Sequence, residues 1–573
     1  MSEKAVKVKL TKEQKREKRT SAQEKKFERS KRSLLNRYFH HVDHGSTTGR
    51  EIMAGLLLCI LCVCAIFMNM QLITSMMVSG PAAAANSTEL AANGEIIASQ
   101  YFWSMIIAFI GSLAIGLVAR LPLTQIPSLG LSTLLISALG IGMNLTYANL
   151  LAVCFISSIV YAVIAAVPAV RSAVLKAIPA PVRKAAPVAL GMIVVFIAMQ
   201  LTGIVSMGTT NIAAYGAGTE INAKKMSGLQ SSVMAFRLFD FSTYNSVGYK
   251  GDSYYPLIQI SMVSAAIALA TFVLLRKTKR PVMHALMIGT LTYFVWMLLT
   301  VVFYKTKNGA WKYSLDVLWG RLWMVGSEDA QHLHLANIFR SLNLGSVFTE
   351  GFDFSAYTQA GGSVITLFAS GILTFLFANL TVTGAVAHDA DDKETGLAMI
   401  CNAGINVLAP LVGVTAVAVT PLNEAGRRDG AKSGLASVIA SLGFLASAFV
   451  WLVPFFFSTT SSYNIQFNMY GHYGTSMQMF SESGFIVVDA VMALVGLCMA
   501  ASALKDGIGE GKDAAAFVAT IAGTLLLSSL PLGVAAGMTV YALANALDRE
   551  RSLTIGQLCG GVVSLGYIVL TLI

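Results

Sequence analysis

Charge is what this 573-residue chain has little of: 12% of its residues are Asp, Glu, Lys or Arg, where a soluble globular protein carries about 25%. Such scarcity argues against a water-solvated surface over most of the chain. Cysteine is also sparse, with seven residues, and they form no framework. Cys59, Cys62 and Cys64 imitate a CxxCxC metal motif, but they sit inside the apolar run GLLLCILCVCAIF, where small side chains serve packing. No metal site and no cofactor is expected. Ser-His-Asp spacing, a nucleotide-binding loop and HExxH are all missing, so an enzyme is not expected either. No short apolar run with a cleavage site follows the N-terminus, so a signal peptide is not expected.

What fills the chain instead is apolar sequence: 55% of residues are hydrophobic, and they come in long runs. Runs of about 20 apolar residues read as membrane helices. They lie at 52–78, 99–119, 147–167, 187–205, 256–275, 282–303, 362–387, 433–457, 484–503, 514–530, 532–547 and 555–573, with shorter, interrupted runs at 128–143 and 395–422. The pattern predicts an all-α polytopic membrane protein of about fourteen spans.

The net charge of +11 belongs mostly to one tail. The first 50 residues hold 15 Lys and Arg against 6 Asp and Glu. A solvated cytoplasmic tail at 1–49 is expected, able to meet anionic lipid headgroups. Its basic stretch KVKLTKEQKREKRTSAQEKKFERSKR holds a single aromatic, Phe27, so nucleic acid is not an expected partner. Loops 171–184, 276–280 and 423–432 are basic too, and all fall on the N-terminal side if the spans alternate. A multi-pass protein of the plasma (inner) membrane with a cytoplasmic N-terminus follows. Larger loops at 79–98, 206–255, 304–361 and 458–483 then face outward. The HLH pair His332 and His334 in the third of these reads as surface rather than as metal ligands. The division expected is 50–303 for a first seven-span half, 304–361 for a loop and 362–573 for a second half.

Two segments are too broken for ordinary helices. LTQIPSLGLSTLLISALGIGMN at 123–144 contains Pro127, Gly130, Gly140 and Gly142. CNAGINVLAPLVGVTAVAVTPLNEAG at 401–426 contains Gly404, Pro410, Gly413 and Pro421. Irregular backbone within a membrane has to be buried in protein or line a polar cavity, because lipid cannot satisfy its N–H and C=O groups. Standing third and tenth, the two segments predict inverted repeats with a site between discontinuous spans.

These residues carry a resemblance. GREIMAGLLLCILCVCAIFMNMQLI (49–73), with Glu51, Gly55 and Asn69, is similar to the first span of the guanine/hypoxanthine/adenine permease branch of the xanthine/uracil permease superfamily. IPSLGLST (126–133) matches that family's third-span motif at Pro127, Gly130 and Leu131. AIPAPVRKAAPVALGMIVVFIAMQLTGIV (177–205) resembles its fifth-span region, including Gln200 and Gly203. GVTAVAVTPLNEAGRRDGAKSGLASV (413–438) resembles the tenth span and the start of the eleventh. The resemblance implies fourteen spans in two inverted seven-span repeats, short strands in broken spans 3 and 10 that meet at a midplane site, a core and a gate domain, and a homodimer. It implies proton-coupled uptake of a purine nucleobase.

The chain departs from that pattern where it matters. The family's eighth span carries two carboxylates; here FANLTVTGA puts Asn379 at the first, and Val382 or Thr381 at the second. Leu422 stands at the family's tenth-span glutamate. An asparagine can still read a base edge through hydrogen bonds, but it cannot carry a proton. A different coupling ion, a different small metabolite or anion on the same fold, and a transport-inactive sensor or scaffold are the alternatives to a purine permease.

Expected substrate contacts are Ser128, Ser132, Thr133, Thr415 and Thr420 in the broken spans, with Asn69, Gln200, Asn379, Thr381 and Val382. Proton-coupling candidates are Asp489, within the twelfth span, and Glu424, just past the tenth. The competing expectation for Glu424 is an exposed acid beside Arg427 and Arg428, and for Asp489 an interfacial helix start. HDADDKE at 388–394 reads as a solvated turn and helix cap, and His284 as interfacial.

Overall fold

A computed structural model describes residues 34–79, 95–128, 131–132, 135, 145–201, 205–211, 232–238, 266–278, 280–303, 346–387, 392–449, 491–501, 503–504, 508–527, 529–547 and 554–572. The helices are α1 (Leu34–Phe39), α2 (Thr48–Ser79), α3 (Glu95–Ala114), α4 (Tyr147–Ala166), α5 (Pro168–Ala177), α6 (Ala180–Leu201), α7 (Ala266–Leu275) and α8 (Pro281–Phe303). They continue as α9 (Val364–Val386), α10 (Asp392–Leu408), α11 (Asn423–Asp429), α12 (Gly434–Ala448), α13 (Val491–Ala501), α14 (Gly511–Leu526), α15 (Leu530–Leu547) and α16 (Ile555–Leu572). Each uninterrupted apolar run of the sequence overlaps one of them. Among the described residues five helices are by themselves long and apolar enough to cross a membrane, α4, α9 and α15 included. The protein is a multi-pass membrane protein.

Among the described residues four strands interrupt the helices. β1 (Gln125–Pro127) follows α3, β2 (Val205–Asn211) follows α6, β3 (Ser232–Leu238) pairs antiparallel with β2, and β4 (Val417–Val419) follows α10. All of the β2–β3 pair except Val205 lies in the 206–255 stretch, which the all-α expectation treated as a loop. Two strands can satisfy each other's ladder groups where no helix continues.

β1 and β4 are the two broken spans, and they pair antiparallel with Gln125 opposite Val419, Ile126 opposite Ala418 and Pro127 opposite Val417. Antiparallel pairing requires the two segments to run in opposite directions. That is the relation an inverted repeat of seven spans imposes on its third and tenth members. The second break starts later than the sequence suggested: Cys401–Leu408 completes the regular helix α10. A 3-10 turn, Ala409–Val412, then leads through Gly413 toward β4.

The strand pair stands where three hydrophobic clusters meet. Ile126 joins the cluster of α2, α3 and α12, with Leu57, Met105 and Phe444. Ala416 joins that of α4, α9 and α10, with Tyr161, Phe375 and Met399. Val419 joins that of α6, α14 and α15, with Val182, Ala516 and Val534. Small residues let some helices approach closely. A Cβ on Gly191 of α6 would lie 2.4 Å from the carbonyl of Gly496 on α13, and the reverse distance is the same. Such contacts are how helices associate where lipid removes the hydrophobic drive.

Stretch 171–184, expected as a loop, is helical. Pro168 opens α5 at a position where its missing N–H costs nothing, and α5 buries no residue and meets α6 at 83°. α14 and α15 form a two-helix hairpin, closed by Gly533 against Thr520 and Thr524. α16 packs on α15, with Gly561 against Ala542.

The segment before α2 is also folded. Tyr38 donates its hydroxyl to the Leu117 carbonyl at 2.9 Å, and the Arg120 guanidinium lies 4.7 Å over the Tyr38 ring. Ser46 donates to the Gly430 carbonyl at 2.9 Å. Leu117 belongs to a π turn, Ile115–Ala119, that continues α3 and ends at Arg120 in the left-handed region. This side of the bundle, which gathers α1, Arg120 and residues 430–434, is called the N-terminal face below.

Candidate functional site

The site is built from two short strands whose hydrogen-bonding edges are closed by side chains. In an antiparallel pair, alternate residues turn their N–H and C=O away from the partner strand. Gln125 is one such residue. Its N–H donates to Ser112 Oγ, and Ser112 Oγ donates back to its C=O, both at 3.0 Å. Pro127 is the next, and it has no N–H to satisfy. On the other strand Val417 faces outward, and Asn406 of α10 pairs with it as a peptide would. The Val417 N–H donates to Asn406 Oδ1 and Asn406 Nδ2 donates to the Val417 C=O, both at 2.8 Å. Asn402, one turn earlier, donates to the same carbonyl at 3.1 Å and to Gln125 Oε1 at 2.9 Å.

Both ends of the ladder continue through polar groups. At one end Thr420 N–H donates to the Thr124 carbonyl at 3.1 Å. Asn423 accepts from the Thr124 N–H and hydroxyl at 2.8 Å and donates to its carbonyl at 2.9 Å. At the other, Ser128 N–H donates to the Ala416 carbonyl at 3.1 Å, and the Ser132 and Thr415 hydroxyls stand 3.0 Å apart. Each strand runs directly into a hydroxyl residue that caps the next turn. Ser128 Oγ accepts from Leu131 N–H and Thr420 Oγ1 from Leu422 N–H, both at 3.3 Å. All these groups are neutral. Serine, threonine, asparagine and glutamine bond the crossing, and no ionisable side chain is among them.

Four of the expected contacts, Ser128, Ser132, Thr415 and Thr420, are therefore brought together at the crossing. Val382 of α9 packs in the same cluster as Val419 of β4. Asn379 is fully buried and faces α4, one turn from Phe375, whose ring is edge-on to Tyr161 at 6.2 Å. Its Nδ2 donates to the Phe375 carbonyl at 3.1 Å, while its Oδ1 has no partner. A carbonyl can only accept, so the orientation of this amide is fixed and Asn379 presents an acceptor. Thr381 lies on the opposite side of α9 and donates to the Phe377 carbonyl at 2.6 Å, beside the stack of Phe377 on Tyr567. The structure does not bring Asn379 and Thr381 together.

Asn69 is buried in α2, two turns beyond Cys62, whose Sγ lies 3.5 Å from Thr124 Oγ1. Both atoms of the Asn69 amide are without a partner. Gln200 falls in the last turn of α6, and its side chain lies outside the described ones. Asp489, Thr133, His332, His334 and 388–391 lie outside the described residues. Glu424 corrects one expectation: it is not an exposed acid. It is 8% exposed, with Oε1 accepting from Arg428 Nε at 3.0 Å and Oε2 3.8 Å from Arg427. His284 is half-buried in the first turn of α8.

The residues that sequence reasoning missed are amides: Gln125, Asn402, Asn406 and Asn423, with Thr124 and Ser112. CNAGIN did hold a signal. Two asparagines four apart share one face of an apolar helix, and polar side chains there need partners.

No protein-family model matches this chain, and no curated protein matches it. Solved structures similar to it include the transmembrane domain of a cyanobacterium bicarbonate transporter, BicA, at 11% identity, with 85% of this chain and 96% of that one covered and a TM-score of 0.41. The overall structure of SLC26A9 is similar at 13% identity, with 95% and 72% covered and a TM-score of 0.39.

Proposed function

We propose that the protein is a secondary transporter that carries a small, hydrogen-bonding solute through the crossing of β1 and β4, with the N-terminal face toward the cytoplasm. One observation carries this reading. Two broken spans meet as a strand pair inside a bundle of apolar helices, with polar groups concentrated on them. A scaffold has no use for non-helical backbone at that depth, and transporters place their sites there.

The chemistry of the lining favours a solute without net charge. The crossing offers hydroxyls, amides and backbone groups and no fixed charge. Asn379, where relatives by resemblance carry a carboxylate, presents an unpaired acceptor and therefore suits a solute with an N–H or O–H donor. A purine base or similar small heterocycle has alternating donors and acceptors of this kind. A second reading, a small anion, is favoured by Ser128 and Thr420, which start helical turns next to the strands, where N–H groups gather. Proton coupling through the crossing is not favoured, since among the described residues the side chains that bond the strands are hydroxyls and amides. Glu424, paired with two arginines, and Asp489 remain its candidates.

The test is a thermal-shift screen of the purified protein against adenine, guanine, hypoxanthine and uracil, beside bicarbonate, sulfate and small carboxylates, because a ligand of the folded state stabilises it. Stabilisation by bases that is lost in Asn379→Leu supports the first reading. Stabilisation by anions alone replaces it with the second. No shift with any probe, together with no uptake into proteoliposomes, would overturn transport.

A further inference from the structure

Four of the seven residues of α11 are charged: Glu424, Arg427, Arg428 and Asp429. Only Thr420, Pro421 and Leu422 separate this helix from β4. Its last two residues reach away from the strands to two different helices. Asp429 is 2% exposed and gives one carboxylate oxygen to each of two backbone donors, Val282 N–H at 3.0 Å and Met283 N–H at 2.8 Å. These are the first N–H groups of α8, because Pro281 has none. Asp429 thus caps α8 from 147 positions away in the chain. Arg428 donates to the Cys498 carbonyl of α13 at 3.3 Å while Glu424 holds its other edge.

Among the described residues, neither α8 nor α13 supplies a group that hydrogen-bonds the crossing strands. Both pack in hydrophobic clusters that include strand residues, and α11 adds their polar link to the broken span. Leu422 and Ala425 strengthen the link, since they share a hydrophobic cluster with Val282, Leu286 and Val491. A shift of β4 along its own axis would pull Asp429 off α8 and Arg428 off α13 in one movement.

We infer that α11 is a latch: a rigid charged turn whose Asp429–α8 and Arg428–α13 contacts open together and so tie the position of β4 to the surrounding helices. The inference builds on the transport reading, in which β4 has to move relative to those helices for the solute to pass. Capping a helix strengthens only its own end. A latch makes one contact sense the other, and that difference is measurable.

Amide hydrogen exchange followed by mass spectrometry on the peptide covering Val282 and Met283, in detergent or nanodiscs without any solute, reads the latch directly. Asp429→Asn should speed exchange there about tenfold or more, as expected for loss of a hydrogen bond to a charged group. Arg428→Gln does not touch α8, yet a latch requires it to speed exchange at the same two amides by several-fold. Asp429→Glu, which keeps the charge, serves if the asparagine variant fails to fold, and should speed exchange less than any charge-removing change. An unchanged rate at Val282 and Met283 in folded Arg428→Gln protein overturns the latch and leaves two independent caps. Because no solute takes part, the result stands whether or not any probe is transported.

Discussion

Asn406 is the sharpest point at which to break the crossing. Replacing it with leucine keeps the volume and removes three contacts at 2.8 Å: those with the Val417 N–H, the Val417 carbonyl and the Asn402 carbonyl. The Val417 carbonyl keeps Asn402, but the Val417 N–H loses Asn406 Oδ1 and stays buried. An orphaned buried donor costs about 1–3 kcal/mol, and the lost bonds to the two carbonyls add about 0.5–1.5 kcal/mol each at most. A total of about 3 kcal/mol is a reasonable centre. Asn402→Leu is the comparison. It leaves Val417 paired on both groups and strands only Gln125 Oε1, while removing an Oδ1 that had no partner. Its cost should be about 1 kcal/mol. Melting midpoints followed by tryptophan fluorescence in detergent should rank wild type, then Asn402→Leu, then Asn406→Leu. Exchange of the Val417 amide should rise only in the last. If the two variants melt together, or Asn402→Leu is the weaker, the peptide-like pairing of Asn406 is not what holds β4.

Three further outcomes are expected. Gly434→Ala should abolish or severely weaken folding, since its Cβ would sit 2.1 Å from the Gly116 carbonyl, whereas Gly404→Ala meets nothing within 4 Å and should be neutral or slightly stabilising; expression and size-exclusion profiles compare them. A double-mutant cycle of Ser132→Ala and Thr415→Val, read by melting, should give a coupling of about 1 kcal/mol, and additive effects would place the two hydroxyls apart. Asp429 supplies the pH dependence. Burial pushes its carboxyl above the usual value, with the Met283 and Val282 N–H groups, His284 and Arg280 pulling the other way. A raised acid binds its proton more readily folded than unfolded, so its ionised form costs stability at neutral pH. The cost is relieved as pH falls through the folded value toward 3.8. The melting difference between wild type and Asp429→Asn should therefore move in favour of wild type over that window, and a flat or opposite trend refutes the sign.

How far the sequence could be read follows from which forces are local. Lipid acts on every residue of a span, so long apolar runs announced the helices, and Pro127, Gly413 and Pro421 announced the breaks. Ser128, Ser132, Thr415 and Thr420 were readable as residues of the crossing because hydroxyls inside a break have few other uses. The strand register was not readable, since it depends on contacts between segments almost 300 positions apart. The same holds for Asp429 on α8 and for Glu424, whose burial arises from how α11 docks rather than from its neighbours in sequence. Stretch 171–184 was misjudged because its basic residues suit a surface helix as well as a loop.

The π turn at Ile115–Ala119 has a consequence for how this chain tolerates changes in length. Its closing bond runs from Arg120 N–H to the Ile115 carbonyl, one residue more than an α turn encloses. Deleting one residue there lets the turn relax to α while Ser112 behind it and Gln125 ahead of it keep their places. The same deletion seven residues earlier would rotate the rest of α3 by about 100° and carry Ser112 off the strand it seals. Single-residue gaps among related chains should therefore collect at this turn, and its cost is the carbonyl that Tyr38 now holds.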